Sequence, residues 1–132
     1  MVIKFLTIHC AATPRGRDVK AATINQWGID RFKQRSYHWI VEMDGTAVRG
    51  LRDDQRGAHT GGANTGNIGI CYVGGIERNM KAADTRTVAQ KATLRRLVAE
   101  YRAKYPGIIV RGHRDWPGVK KDCPSFDVGT QL

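Results

Sequence analysis

The chain has 132 residues, 41% of them hydrophobic, and a formal net charge of +10. That length suits one compact domain with its own core and leaves little room for a second. No run approaches the roughly 20 apolar residues of a membrane-spanning helix, and three cysteines are an odd number for a secreted disulfide framework.

The cationic balance predicts affinity for polyanions or simply solubility. Nucleic acid, anionic phospholipid, lipopolysaccharide and cell wall all qualify as polyanions. The start of the chain, Met1 to Ile8, carries one Lys and a short apolar run. A signal peptide needs a longer apolar segment and a small-residue cleavage site, so the chain is expected to be made without an export signal. The cysteine usage fits a reducing compartment at synthesis.

In chain order, Ile3 to His9 alternates and reads as a strand. Cys10 to Arg17 is a loop punctuated by Pro14 and Gly16. Asp18 is a candidate N-cap for a helix through Trp27, with Gly28 as a candidate interruption. Tyr37 to Glu42 and Thr46 to Leu51 read as strands joined at the turn signal Asp44-Gly45. Arg52 to Gly66, with four glycines, is a long polar loop of the kind that tends to be functional.

Ile68 to Val73 is nearly continuous in apolar residues, as in a strand buried on both faces. A second long loop runs to about Arg86. Thr87 to Tyr105 reads as a helix, with Leu94, Leu97, Val98, Tyr101 and Tyr105 on one face and Lys91, Arg95, Arg102 and Lys104 largely elsewhere. Pro106-Gly107 ends it. Ile108 to Val110 is a short strand leading to Gly112-His113, and the tail from Arg114 is mostly loop. This order predicts an α/β fold: a single domain with a central mixed sheet of about five strands flanked by helices.

Three side chains at or beyond predicted strand ends, His9, His113 and Cys123, are good zinc ligands in type. Two imidazoles and one thiolate leave one position open, as catalytic zinc sites usually do. Each signal alone is weak. Cys10 competes as a ligand, but adjacent strand residues face opposite ways, so His9 and Cys10 do not both reach one metal. Cys71 reads as a small core residue. His38, next to Tyr37, reads as a buried, hydrogen-bonded structural histidine. Asp115 reads either as a carboxylate orienting a ligand imidazole or as a solvent-facing group. Trp27, Trp39 and Trp116 read as core or groove residues, Trp116 lying in the candidate site loop.

Five segments carry more. They are Thr7-Ile8-His9-Cys10-Ala11-Ala12-Thr13, Ser36-Tyr37-His38-Trp39-Ile40-Val41, Asn67-Ile68-Gly69-Ile70-Cys71-Tyr72-Val73-Gly74-Gly75, Gly112-His113-Arg114-Asp115 and Asp122-Cys123-Pro124-Ser125-Phe126-Asp127. In this order they resemble the zinc-dependent N-acetylmuramoyl-L-alanine amidases of the peptidoglycan-recognition-protein superfamily, above all the small phage endolysins. The resemblance spans nearly the whole chain.

It implies a fold of that family and one zinc ion held by His9, His113 and Cys123. It implies catalytic roles for Tyr37 and Lys121, with Lys120 as the adjacent alternative, and substrate contacts from His59 and Asn64. Trp116 is added as a candidate substrate contact from its place in the loop. It also implies hydrolysis of the amide between N-acetylmuramic acid and L-alanine in peptidoglycan during host lysis. No carboxylate has a clear claim to be general base. The expected partner is the wall itself, with loose attraction to anionic envelope polymers, no specific nucleic acid, no transmembrane segment and a monomeric state. Residues 1–132 are expected to be the catalytic domain, without a separate wall-binding domain. The expected action is on the wall after the membrane has been opened. The rival readings are a non-catalytic peptidoglycan-binding module, a cytoplasmic muropeptide-recycling amidase, and a nucleic-acid or polymerase-binding regulator.

Overall fold

The computed structural model describes residues 2–132. Its frame is a five-stranded sheet in the order β4-β3-β5-β1-β7, formed by β1 (Phe5–Cys10), β3 (Trp39–Val41), β4 (Ala47–Arg49), β5 (Asn67–Tyr72) and β7 (Ile109–Gly112). β3, β5, β1 and β7 pair in parallel and β4 closes one edge antiparallel to β3. The sheet is therefore mixed. The expected hairpin at Asp44-Gly45 is present, with Asp44 Oδ1 accepting from the Thr46 N–H at 2.9 Å.

Alternation along the strands sends the two faces to different partners. Leu6, Ile8, Ile68, Ile70, Tyr72 and Val41 pack with Leu94, Leu97, Val98 and Tyr101 of α2 (Val88–Lys104) in the main core. Ile40 and Val73 pack with Val19, Ala21 and Ile24 around the start of α1 (Ala21–Phe32) on the other face. β5 is buried along its whole length, as its apolar run predicts.

α2 matches the expected helix closely. Thr87 is its N-cap and forms a capping box with Gln90. α1 begins later than expected and runs through Gly28 instead of stopping there. The glycine serves close packing: a Cβ at position 28 would lie 2.8 Å from Ser36 Oγ and 3.0 Å from the Gln34 carbonyl. Lys20, not Asp18, occupies the N-cap position, and no side chain caps the helix. Two stretches expected as loop contain short strands, β2 (Thr13–Pro14) and β6 (Gly75–Ile76), which pair in parallel. The tail holds a 3-10 turn at His113–Asp115 and the short α3 (Val128–Gln131). Among the described residues, no helix is long and apolar enough to cross a membrane.

Candidate metal centre

His9 lies near the end of β1 and His113 directly after β7, so the two parallel neighbours deliver their imidazoles to one end of the sheet. The ring centroids are 4.6 Å apart. Cys123 arrives from the tail and is fixed by its own backbone: its carbonyl accepts from the Arg114 N–H at 2.8 Å. The cis Cys123-Pro124 unit is held next to β5 by the Tyr72 hydroxyl, which donates to the Pro124 carbonyl at 2.6 Å. Ser125 Oγ donates to the Gly75 carbonyl at 2.8 Å.

One ligand atom from each of His9, His113 and Cys123 falls within 4.8 Å of the other two. Cys123 Sγ is 3.9 Å from His9 Nδ1. A tetrahedral zinc with ordinary bond lengths would separate such a sulfur and nitrogen by about 3.5 Å. The donor set fits zinc in type, and its spacing needs only small closure. The Cys10 main-chain N–H donates to Cys123 Sγ at 3.2 Å, but the neighbouring Cys10 thiol and burial outweigh it and hold the metal-free Cys123 thiol above its ordinary value. The Cys10 side chain instead belongs to the main core cluster, as strand alternation requires.

The electrostatics keep the imidazoles neutral. Burial pushes His9 well below its ordinary value, with His59, His113 and Lys121 adding to it. Burial and then Lys121 lower His113. Neutral rings are the ligating form. Lys121 contributes its positive charge to both shifts from an exposed position. Tyr37 packs beside His9 at 5.3 Å between ring centroids. Burial and the neighbouring Cys71, Cys123 and Cys10 thiols raise its phenol well above its ordinary value, so it remains a neutral donor.

His59 has a setting that sequence alone does not suggest. It is 8% exposed, and both ring nitrogens are engaged. Nε2 lies 3.0 Å from the Asn67 carbonyl, and Nδ1 lies 2.9 Å from both His9 Nε2 and Thr60 Oγ1. Both nitrogens thus have partners within the protein, and the ring lies behind His9. Asn64 is half-buried and its Oδ1 accepts the His59 and Thr60 N–H groups at 2.9 and 2.7 Å, which braces the loop. Trp116 is half-buried, packs edge-on to Phe5 at 4.9 Å and donates its indole N–H to Thr7 Oγ1 at 3.0 Å. Phe5, Thr7 and His9 alternate onto one face of β1, so Trp116 flanks the metal-ligand face.

The remaining readings resolve simply. His38 is buried, donates from Nε2 to the Gln55 carbonyl at 2.7 Å and accepts the Gly69 N–H on Nδ1 at 2.9 Å. Cys71 is fully buried. Asp115 is exposed and its carboxylate accepts the Gly112 N–H at 2.8 Å, capping the turn that carries His113. Trp39 packs against the core, whereas Trp27 is exposed.

Comparison with known proteins agrees with this arrangement. Residues 1–126 match the family model described as N-acetylmuramoyl-L-alanine amidase. The endolysin of Enterobacteria phage T3 is 38% identical over 122 residues, covering 92% of this chain and 80% of the relative. Among solved structures, the N-acetylmuramoyl-L-alanine amidase LysC from Clostridium intestinale superposes with a TM-score of 0.79 at 21% identity, covering 96% of this chain and 79% of that one. The peptidoglycan-recognition protein PGRP-SA of Apis mellifera superposes with a TM-score of 0.75 at 18% identity, covering 96% and 79%. These two likenesses establish the shared fold. With the family model spanning nearly the whole sequence, the chain belongs to the N-acetylmuramoyl-L-alanine amidase family.

Proposed function

We propose that residues 1–132 are a zinc-dependent catalytic domain that hydrolyses the amide between N-acetylmuramic acid and L-alanine, acting as a phage endolysin on the host wall. The observation that carries this reading is the convergence of His9, His113 and Cys123 at one end of the sheet, beside a neutral phenol and a lysine. A zinc ion held by these three side chains would supply Lewis acidity and an activated water near neutral pH.

The chain's own residues do the rest. Tyr37, held neutral, donates a hydrogen bond to the oxyanion that develops on the scissile carbonyl. Lys121, whose charge helps to lower His9 and His113, adds positive charge for the same oxyanion. Its ammonium can also supply the proton that the leaving amine needs. Trp116 offers an aromatic wall beside Phe5 for sugar or peptide, and Asn64 keeps the adjoining loop in shape. The presence of Cys123 favours catalysis over mere recognition, since a thiolate ligand completes the metal set.

The cationic surface, +10 in net charge, supplies loose attraction to anionic envelope polymers. Such binding weakens with added salt, because exposed charges are screened over about 8–10 Å at physiological ionic strength. The chain works as a monomer on the wall once the membrane has been opened.

Digestion of purified sacculi tests the activity. The expected products are new alanyl amino groups without new reducing ends, and dialysis against a strong chelator removes the activity until zinc is restored. New reducing ends without amino groups would identify a glycosidase, and full turnover after complete chelation would rule out the metal.

A further inference from the structure

We propose that His59 is a positioning residue of the metal centre: it accepts a hydrogen bond from His9 Nε2 and so holds His9 with Nδ1 turned toward Cys123 and His113. This rests on the metal reading above and adds the device that orients its most buried ligand.

The hydrogen-bond directions follow from the main-chain carbonyl at the end of this series, which can only accept. The Asn67 carbonyl only accepts, so His59 Nε2, 3.0 Å away, bears a hydrogen. A neutral His59 then has a lone pair on Nδ1. His9 Nε2 sits 2.9 Å from that lone pair and must be the donor. His9 in turn keeps its own lone pair on Nδ1, the atom 3.9 Å from Cys123 Sγ. Two tautomers are thus set in sequence: the Asn67 carbonyl sets His59, and His59 sets His9.

The support extends further. Asn67 Oδ1 accepts from Thr7 Oγ1 at 2.8 Å, and its Nδ2 donates to the Ala63 carbonyl at 2.9 Å. Asn67 is therefore held on the strand that carries His9 and on the loop that carries His59. The rings of His9 and His59 meet edge to face, 4.9 Å between centroids at 83°. Both are buried, at 2% and 8% exposure. The contact is therefore a shielded one between fixed rings, and ligand-orienting partners of this kind typically contribute 10–100-fold to metal affinity.

Two substitutions separate the polar role from packing. In His59→Asn the amide oxygen sits as far along the side chain as Nδ1, so an acceptor for His9 remains. In His59→Gln the amide reaches the Nε2 position instead and serves the Asn67 carbonyl. The full chain is assayed for zinc affinity by competition with a chromogenic chelator, for the visible spectrum of its cobalt(II) form, and for the melting temperature of its metal-free form. His59→Gln is expected to weaken zinc binding about 10–100-fold and to alter the cobalt spectrum. His59→Asn is expected to stay closer to the parent in both, although the two variants lose melting temperature alike. Zinc affinity that follows melting temperature, with Asn no better than Gln, would make His59 a packing residue only.

The parent chain offers a check that needs no variant. Nitrogen-15 spectra of the imidazoles in the zinc-loaded protein should show His9 and His59 both protonated on Nε2. Protonation of His9 on Nδ1 overturns this inference while leaving the metal reading intact. A parent chain that binds no zinc overturns the metal reading and this inference with it.

Discussion

Gly69 and His59 are in a contact that only a missing side chain permits. A Cβ built at Gly69 would fall 2.5 Å from His59 Cδ2, 2.7 Å from Cγ and 2.8 Å from Nε2. Gly69 lies on β5, in register with Thr7 of the neighbouring strand, and the His59 ring occupies the space its side chain would fill. Gly57 is equally tight on the same ring, with its hypothetical Cβ 2.7 Å from Cδ2. Two glycines thus make the slot in which the imidazole behind His9 is seated.

Gly69→Ala should therefore act through His59. The ring cannot retreat without leaving the Asn67 carbonyl and His9. Overpacking of a filled core usually costs about 1–3 kcal/mol. We expect a loss of that size in urea denaturation of the metal-free protein, together with weaker zinc retention. Unchanged zinc affinity in Gly69→Ala would show that the ring has somewhere else to go.

Tyr37→Phe should have the opposite signature. The phenyl ring keeps the packing beside His9, and no ligand is lost. Removing a donor aimed at an oxyanion typically costs about 3 kcal/mol, or 10²–10³ in rate. Zinc content measured by atomic absorption should equal that of the parent, while sacculus clearance slows by that factor. Full clearance by Tyr37→Phe would remove the tyrosine from the mechanism.

Much of this fold is legible in the sequence because its signals are local. The α2 stripe from Leu94 to Tyr101 and the unbroken apolar run of β5 need no distant partner to be read. His9, His113 and Cys123 are legible through residue type and flanking motif. Gly28 is not, because its purpose depends on Ser36 and the Gln34 carbonyl arriving after the helix has ended. The pairing of Thr13–Pro14 with Gly75–Ile76 is too short to leave a period. His59 is the instructive case. The family resemblance implies a substrate contact for it, but its hydrogen bonding is set by a main-chain carbonyl on β5 and its seat by a glycine beside it. No side-chain pattern encodes a carbonyl.

Acid should destabilise the metal-free protein in two windows. Burial lowers His38, and brings His59 down to about 3. The unfolded chain takes up protons on these rings below about pH 6.5, and the folded chain does not, so stability falls as pH drops from there. Asp53 acts lower. Burial alone would raise its carboxyl, but hydrogen bonds from Tyr101, Lys104, Tyr105 and Arg49 outweigh this and hold it well below the ordinary range. Its contribution is present above about pH 4 and is lost as pH falls further. Asp53→Asn should lower stability at neutral pH by about 2 kcal/mol, chiefly through the bonds from Tyr101 at 2.6 Å and Tyr105 at 2.8 Å. It should also flatten the part of the melting-temperature profile below pH 4. An acid limb unchanged in Asp53→Asn would assign that limb to other carboxylates.

Gln90 should matter more than the cap it belongs to. Thr87 Oγ1 accepts the Gln90 N–H at 3.0 Å, and Gln90 Oε1 accepts the Thr87 N–H at 2.9 Å. That reciprocal pair starts α2. The Gln90 amide also donates to the Val73 carbonyl at 2.9 Å and to the Val41 carbonyl at 3.3 Å, from a position with no solvent exposure. It thus ties the helix start to the ends of β3 and β5. Thr87→Ala removes one cap oxygen and should cost about 1 kcal/mol. Gln90→Leu strands the Thr87 N–H and takes the amide donor from the Val73 carbonyl, a loss of about 1–3 kcal/mol for a buried polar group left unpaired, while the Val41 carbonyl still accepts the Val73 N–H at 3.0 Å. The double variant should cost less than the two singles added, because the capping contacts are mutual. Additive losses would mean that the helix start and the strand ends are held independently, with the glutamine serving each through a separate contact.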